Sequence, residues 1–255
     1  MIRVLNGVSS MFDQSLRISA HSLAVNQPVT FGTFVVNGKN EFWSHGQYVA
    51  DALGNVELAE HESIGGSYKG IEPMGLFWSL IQRPGQRPGL RFVPRDVTQP
   101  CLMTMRLFDG FVESWDQTKT TKVLDEVTLV RHFLSHAVER RIVRDGSIRG
   151  TFFMPTNIPS NSCVPGVIDL YGTAGGLMEQ RAALLSSHGF AVLSLAFFNY
   201  EDLPEHVGDV DLEYFDEAVL WLRQQTGVRN NCVGVIGLSH GSDIALNMAI
   251  NCEQV

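Results

Sequence analysis

One serine in this chain sits where its hydroxyl could act as a nucleophile. Gly237-Leu238-Ser239-His240-Gly241 is a G-x-S-x-G pentapeptide. It closes the apolar, β-branched run 233–238, which reads as a strand buried on both faces. It precedes residues 242–249, where Ile244 and Met248 stand four apart, the spacing of a helix. To attack a carbonyl, a hydroxyl must stand clear of the backbone, and a strand-to-helix turn tight enough to achieve this strains the residue carrying it. Glycines at 237 and 241 remove the Cβ atoms that would hold strand and helix apart. The helix N-terminus then offers free N–H groups, that of His240 among them, to charge developing on a carbonyl oxygen. The pentapeptide alone is weak, since chance supplies roughly 0.17 matches in a chain with this glycine and serine content. Its position between strand and helix makes it a candidate site; a merely structural Gly-Ser turn is the alternative.

A second glycine-rich turn lies upstream. Residues 167–171 read as another buried strand, followed by Gly172-Thr173-Ala174-Gly175-Gly176. This turn lacks the lysine of a P-loop and the G-x-G-x-x-G spacing, so a phosphate cradle is a poor fit. A second set of oxyanion donors fits better, with the N–H groups of Thr173 and Ala174 facing the same oxygen as that of His240. A plain strand-to-helix turn remains the alternative.

These turns need a scaffold, and the pattern for one begins after Asp145-Gly146. Strand-like runs at 148–153, 167–171, 190–198 and 233–238 alternate with helical segments at 177–187 and near 212–222. In the latter, Leu212, Phe215, Val219 and Leu222 mark one face. Such alternation predicts a parallel sheet with helices on its faces and ligands at the carboxyl ends of the strands. Both glycine turns fall there. Residues 1–145 read differently. Short strand candidates at 29–36, 41–49, 55–58, 102–107 and 128–133, with Asn37-Gly38 as a hairpin signal, predict a β-sandwich. The expected domains are therefore 1–145 and 146–255.

Composition narrows the function classes. The 255 residues carry 19 basic and 27 acidic side chains, a net charge of −8, which argues against nucleic acid or an anionic membrane as partner. No apolar run is long enough to span a bilayer. Cys101, Cys163, Cys232 and Cys252 are scattered without metal-ligand spacing, so neither a metal nor a cofactor is expected. Scattered thiols suit a reducing compartment, and a cytoplasmic location is the expectation. Arg83, Arg87, Arg91 and Arg95 border a Pro-Gly loop and could meet a phosphate, but solvated loop charges are the simpler reading.

Several ordered motifs together resemble one family. They are Gly70-Ile-Glu-Pro-Met-Gly-Leu-Phe-Trp78, Arg131-His-Phe-Leu134, Gly166-Val-Ile-Asp-Leu-Tyr-Gly-Thr-Ala-Gly-Gly-Leu177, Arg181-Ala-Ala-Leu-Leu185, Gly189-Phe-Ala-Val-Leu-Ser-Leu-Ala196, Asn199-Tyr-Glu-Asp-Leu-Pro204, Leu212-Glu-Tyr-Phe-Asp-Glu-Ala218 and the serine pentapeptide. They resemble the acyl-CoA thioesterase and bile acid-CoA:amino acid N-acyltransferase family, from about residue 4 onward. The resemblance implies a sandwich domain followed by an α/β-hydrolase domain acting on acyl-CoA, with CoA as part of the substrate. It makes Ser239 the nucleophile. Conjugating members of the family tend to carry cysteine there, so serine favours transfer to water.

Family and fold place an aspartate and then a histidine after the nucleophile. Residues 240–255 contain one histidine, His240, and one aspartate, Asp243. His240 supplies a backbone N–H, and Asp243 lies a helical turn beyond Ser239, so neither is expected to complete a triad. Of the upstream histidines, His132 and His136 fall in the sandwich domain or linker and His188 at the amino end of the strands. His206, after the carboxyl end of the 190–198 strand, is therefore geometrically the least unfavourable, with a surface-loop histidine as the simpler reading. The expectation is a C-terminally truncated sheet and a chain inactive or nearly so alone. Its open edge would be prone to self-association. A peroxisomal address would require a signal beyond Val255. Three readings stay open: acyl-CoA thioester hydrolase, acyl-CoA:amino acid N-acyltransferase, and a non-catalytic isoform that binds acyl-CoA or a partner.

Overall fold

The computed structural model describes residues 1–87, 89–160, 162–253 and 255. The chain divides into two compact units, Met1–Arg95 with Gln99–His132, and Asp96–Thr98 with Phe133–Val255. The first contains strands β1 (Ile2–Val4), β2 (Ser9–Met11), β3 (Ile18–Ala20), β4 (Pro28–Asn37), β5 (Asn40–Val49), β6 (Val56–Glu57), β7 (Gly65–Gly66), β8 (Ile81–Gln82), β9 (Cys101–Asp109) and β10 (Val123–His132), with the short helix α1 (Gly75–Trp78). The second contains β11 (Val138–Asp145), β12 (Ile148–Pro155), β13 (Val164–Leu170), α2 (Gln180–Ser187), β14 (Ala191–Ala196), α3 (Glu213–Arg223), β15 (Val228–Gly237) and α4 (His240–Asn251).

In the first unit β1, β3 and β6 form a small sheet. A larger one runs β2-β10-β9-β4-β5-β7, with β8 also on β5. The Asn37-Gly38 signal is realised as the β4–β5 hairpin, with Asn37 opposite Asn40 and Gly38 at a positive φ of 62°. Alternation in β4 sends Val29, Phe31 and Val35 inward and leaves Val36 exposed. Those three residues share one core cluster with Ile18, Ala20 and Val56 of the small sheet. Arg131 is fully buried here. It donates to Ser10 Oγ (2.6 Å) and to the carbonyls of Phe12 and Gln14 (both 2.7 Å), so its charge is met by fixed oxygens. Arg83 of the Pro-Gly loop pairs with Glu41 at 2.6 Å.

The second unit holds one sheet in the order β11-β12-β14-β13-β15. Only β14, β13 and β15 are mutually parallel; β12 runs antiparallel to β14 and β11 antiparallel to β12. The fully parallel sheet expected from alternation is thereby corrected to a mixed one. The reason is the link 156–163, which is short and contains no helix among its described residues, whereas a parallel return needs a long crossover. Val138–Asp145 lies in the second compact unit, where it pairs along its length with β12, and Asp145-Gly146 stands at their hairpin turn.

All six residues of β14, the middle strand, are buried. On α3 the buried face is Phe215, Ala218, Val219 and Leu222; Leu212 precedes the helix and is exposed. Helix α2 begins only at Gln180. Met178 is held outside it by the Ser194 hydroxyl, which donates to its carbonyl at 2.7 Å. The two outer strands differ in character. β11 carries Glu139, Arg140, Arg141 and Arg144, the charges of a blunted edge. β15 pairs on one side only among the described residues, and Leu238, Leu246 and Ile250 stand exposed at or after its end.

Candidate functional site

The site forms where β13 and β15 end side by side. Leu170 and Gly237 are their last paired residues, and the Leu238 N–H donates to the Leu170 carbonyl at 3.1 Å. The next residue, Ser239, has φ 55° and ψ −126°, and α4 starts at His240. A non-glycine residue held in such backbone costs of order 1–3 kcal/mol and persists only where its surroundings impose it. Here the flanking glycines do so. A Cβ at Gly237 would lie 2.1 Å from the Gly241 carbonyl oxygen, and one at Gly241 would lie 2.4 Å from that of Tyr171 and 2.6 Å from that of Leu170. Helix and strand ends therefore approach to distances that only glycine permits.

Ser239 is exposed, not packed into an interior. Across from it stands Gly172: a Cβ built there would be 2.9 Å from Ser239 Cβ and 3.5 Å from Ser239 Oγ. The turn Gly172-Thr173-Ala174-Gly175 is closed by the Gly175 N–H on the Gly172 carbonyl (3.2 Å), leaving Thr173 and Ala174 exposed at its crest. Gly175 and Gly176 take positive φ values of 63° and 77°. In α4 the first bonded amides are those of Gly241, on the Leu238 carbonyl (3.0 Å), and Ser242, on that of Ser239 (2.8 Å). The N–H groups of His240, Thr173 and Ala174 have no hydrogen-bond acceptor among the described residues. The sequence-predicted serine, its glycines and both donor segments are thus brought together at one end of the sheet.

The imidazole of His240 is elsewhere. Its Nδ1 lies 3.3 Å from Asp243 Oδ2, one turn along the helix. Among the described residues Ser239 Oγ has no hydrogen-bond partner. His206 is exposed at the start of a 3₁₀ turn, where its carbonyl accepts from the Asp209 N–H at 3.1 Å.

One pair beneath the turn escapes sequence reasoning. Asp169 of β13 is buried, and Arg181 of α2 directs both Nε (2.8 Å) and Nη2 at its Oδ1. The same Nη2 donates to the Leu170 carbonyl (3.0 Å) and reaches that of Ile236 (3.5 Å), so one guanidinium ties together the ends of both parallel strands. Burial pushes the Asp169 carboxyl up while Arg181 pulls it down. The available signal was the lone carboxylate inside the apolar run Val-Ile-Asp-Leu-Tyr, since a buried charge demands a partner.

Residues 13–145 match the acyl-CoA thioester hydrolase/BAAT N-terminal region, and residues 210–255 match the BAAT / acyl-CoA thioester hydrolase C-terminal region. Mouse acyl-coenzyme A thioesterase 6 is 42% identical over 241 residues, covering 94% of this chain and 55% of that protein. Human acyl-coenzyme A thioesterase 1 is 40% identical over 93% of this chain and 54% of that protein. Mouse peroxisomal succinyl-coenzyme A thioesterase is 39% identical over 94% and 55% respectively. The chain spans about half the length of these relatives. With both regional signatures in order and this identity along nearly its whole length, the chain belongs to the acyl-CoA thioester hydrolase/BAAT family.

Proposed function

We propose that the site serves acyl-CoA thioester hydrolysis through a serine acyl-enzyme on an α/β-hydrolase scaffold that follows an N-terminal two-sheet sandwich in the sequence. Ser239 Oγ attacks the thioester carbonyl, and the oxyanion is held by the N–H groups of His240, Thr173 and Ala174. The carbon–sulfur bond breaks and CoA leaves as the thiol; water then cleaves the ester on Ser239 to release the fatty acid. The observation that carries this reading is the strained, exposed backbone of Ser239 beside amides that have no acceptor. A structural Gly-Ser turn would have no need of either.

Among the described residues the Ser239 hydroxyl has no hydrogen-bonded base, and the His240 ring lies beside Asp243. An oxyanion hole without its base and acid retains only about 10³–10⁴ over water. The proposal therefore includes very weak turnover by this polypeptide alone. The test compares long-chain acyl-CoA hydrolysis by the 255-residue chain and its Ser239→Ala form, alongside acylation of Ser239 by an activated ester. Slow acylation at Ser239 with little turnover is expected. Rapid turnover lost in Ser239→Ala would overturn the weak-activity part, and acylation that ignores Ser239→Ala would overturn the nucleophile. Adding glycine or taurine separates hydrolysis from N-acyl transfer, which would yield the amide. The β15 edge, unpaired among the described residues, and its exposed apolar neighbours favour a further reading, a non-catalytic chain that binds acyl-CoA or associates with itself. Sizing chromatography at increasing protein concentration tests the association.

A further inference from the structure

The segment after β14 touches the 172–176 turn from the side opposite Ser239. Phe197 and Phe198 are buried, and then Asn199 and Glu201 adopt positive φ values of 50° and 49°. Two left-handed non-glycine residues within three positions require an external hold. Part of it is local: the Asn199 N–H donates to the Pro204 carbonyl (2.7 Å) and the Leu203 N–H to that of Tyr200 (3.0 Å). The rest comes from the β11–β12 hairpin. Arg149 grips both carboxylate oxygens of Asp202 at 2.7 Å, while its Nη1 donates to the carbonyls of Gly146 (2.8 Å) and Ile148 (2.9 Å). Arg144 grips Glu201 the same way, at 2.8 and 2.5 Å.

What this segment holds is the turn. The Phe198 carbonyl accepts the Gly176 N–H at 3.0 Å, and Asn199 Nδ2 reaches the Ala174 carbonyl at 3.5 Å. A Cβ at Gly175 would lie 2.8 Å from both Asn199 Cβ and a Phe198 ring carbon. The turn is thus confined between residues 198–199 on one side and Ser239 on the other. Asp202 is 66% exposed but Arg149 only 15%, and a bidentate arginine–carboxylate pair of this kind fixes position as well as charge.

We propose that residues 199–204 are a clamp that sets the Thr173 and Ala174 amides relative to Ser239, and that Arg149, acting through Asp202, is the positioning residue that anchors the clamp. This rests on the reading of Ser239 and its oxyanion donors given above.

The test uses Arg149→Lys, which keeps the charge and loses the fork, and Asp202→Asn, both in the 255-residue chain. Hydrogen–deuterium exchange of the peptide containing Gly176 should quicken about tenfold in each variant, with the peptide over 233–238 unchanged. Acylation of Ser239 by p-nitrophenyl butyrate should slow about tenfold, whereas the corresponding thionoester should slow less than twofold, because its sulfur gains little from amide donors. A general loss of structure would slow both esters together, and that result overturns the positioning role. Unchanged exchange at Gly176 overturns the clamp itself. If the wild-type chain and Ser239→Ala acylate alike, the reading of Ser239 fails and the oxyanion role with it; exchange at Gly176 then still decides whether the clamp exists.

Discussion

Gly172→Ala places one methyl group between the two halves of the proposed oxyanion hole. Gly172 is absent from the positive-φ residues, so alanine meets no backbone penalty there, and the perturbation is one of space. The added carbon would sit 2.9 Å from Ser239 Cβ, 3.1 Å from the Leu238 carbonyl oxygen and 3.5 Å from Ser239 Oγ. Carbon atoms pack at about 3.5–4.0 Å, so the turn and the serine must part by roughly half an ångström or more. Overpacking of this size costs about 1–3 kcal/mol, and the stiffer unfolded chain returns about 0.4–1 kcal/mol. The net loss is then about 1 kcal/mol, a fall of a few degrees in Tm. Chemistry is less tolerant than folding. Spreading donors that must converge on one oxygen should cost about 10² in rate, near 2.7 kcal/mol. The assay is the second-order rate of Ser239 modification by a fluorophosphonate, read by intact mass and corrected with Ser239→Ala, beside a thermal melt. Labelling within twofold of wild type, with Tm lowered as expected, would refute the idea that the 172–176 turn shares an oxygen-binding pocket with Ser239.

Other expectations follow from the same contacts. Gly237→Ala drives a methyl to 2.1 Å from the Gly241 carbonyl oxygen, a backbone clash that α4 can relieve only by leaving the strand end. Urea unfolding should register a loss of about 3 kcal/mol, at the top of the overpacking range. With a thiol reagent at pH 8, exposed Cys163 and Cys232 should react first. Burial pushes the Cys101 thiol up to about 11, and burial with the Asp216 contact does the same for Cys252, so both should lag. Burial also pushes Tyr48 and Tyr214 up to about 12, and Tyr68, hydrogen-bonded to Tyr48 at 2.6 Å, higher still. A folded-state value above the free one means the native protein holds these protons more tightly. The stabilisation is therefore complete below about pH 10 and lost as pH rises through about 12. Absorbance at 295 nm should show these three phenols ionising late, together with alkaline unfolding; simultaneous ionisation of all five tyrosines near pH 10 would contradict it.

The serine turn was legible because its requirements are local. Strand pattern, glycine spacing and helix pattern occupy a few consecutive residues, and the close approach that forbids a Cβ at 237 or 241 arises within that same stretch or at the adjoining strand end. The β4–β5 hairpin was legible for the same reason, an Asn-Gly pair between alternating strands. Strand β11 was not anticipated as part of the second unit. Its charged residues look like a linker, and only pairing with β12 makes it a sheet edge. The direction of β12 was likewise settled by a partner, β14, that is distant in sequence.

Residue order by itself determined which serine could be presented on a strained turn and which glycines had to flank it, because those are short-range steric conditions. It could not say where the His240 ring would go, that Arg181 would bridge two strand ends through Asp169, or that Arg149 would hold the loop beside the 172–176 turn. The Arg181–Ile236 and Arg149–Asp202 contacts join residues more than fifty positions apart, which the sheet order brings together, and the His240 ring took its place from the rotamer it adopts on the helix.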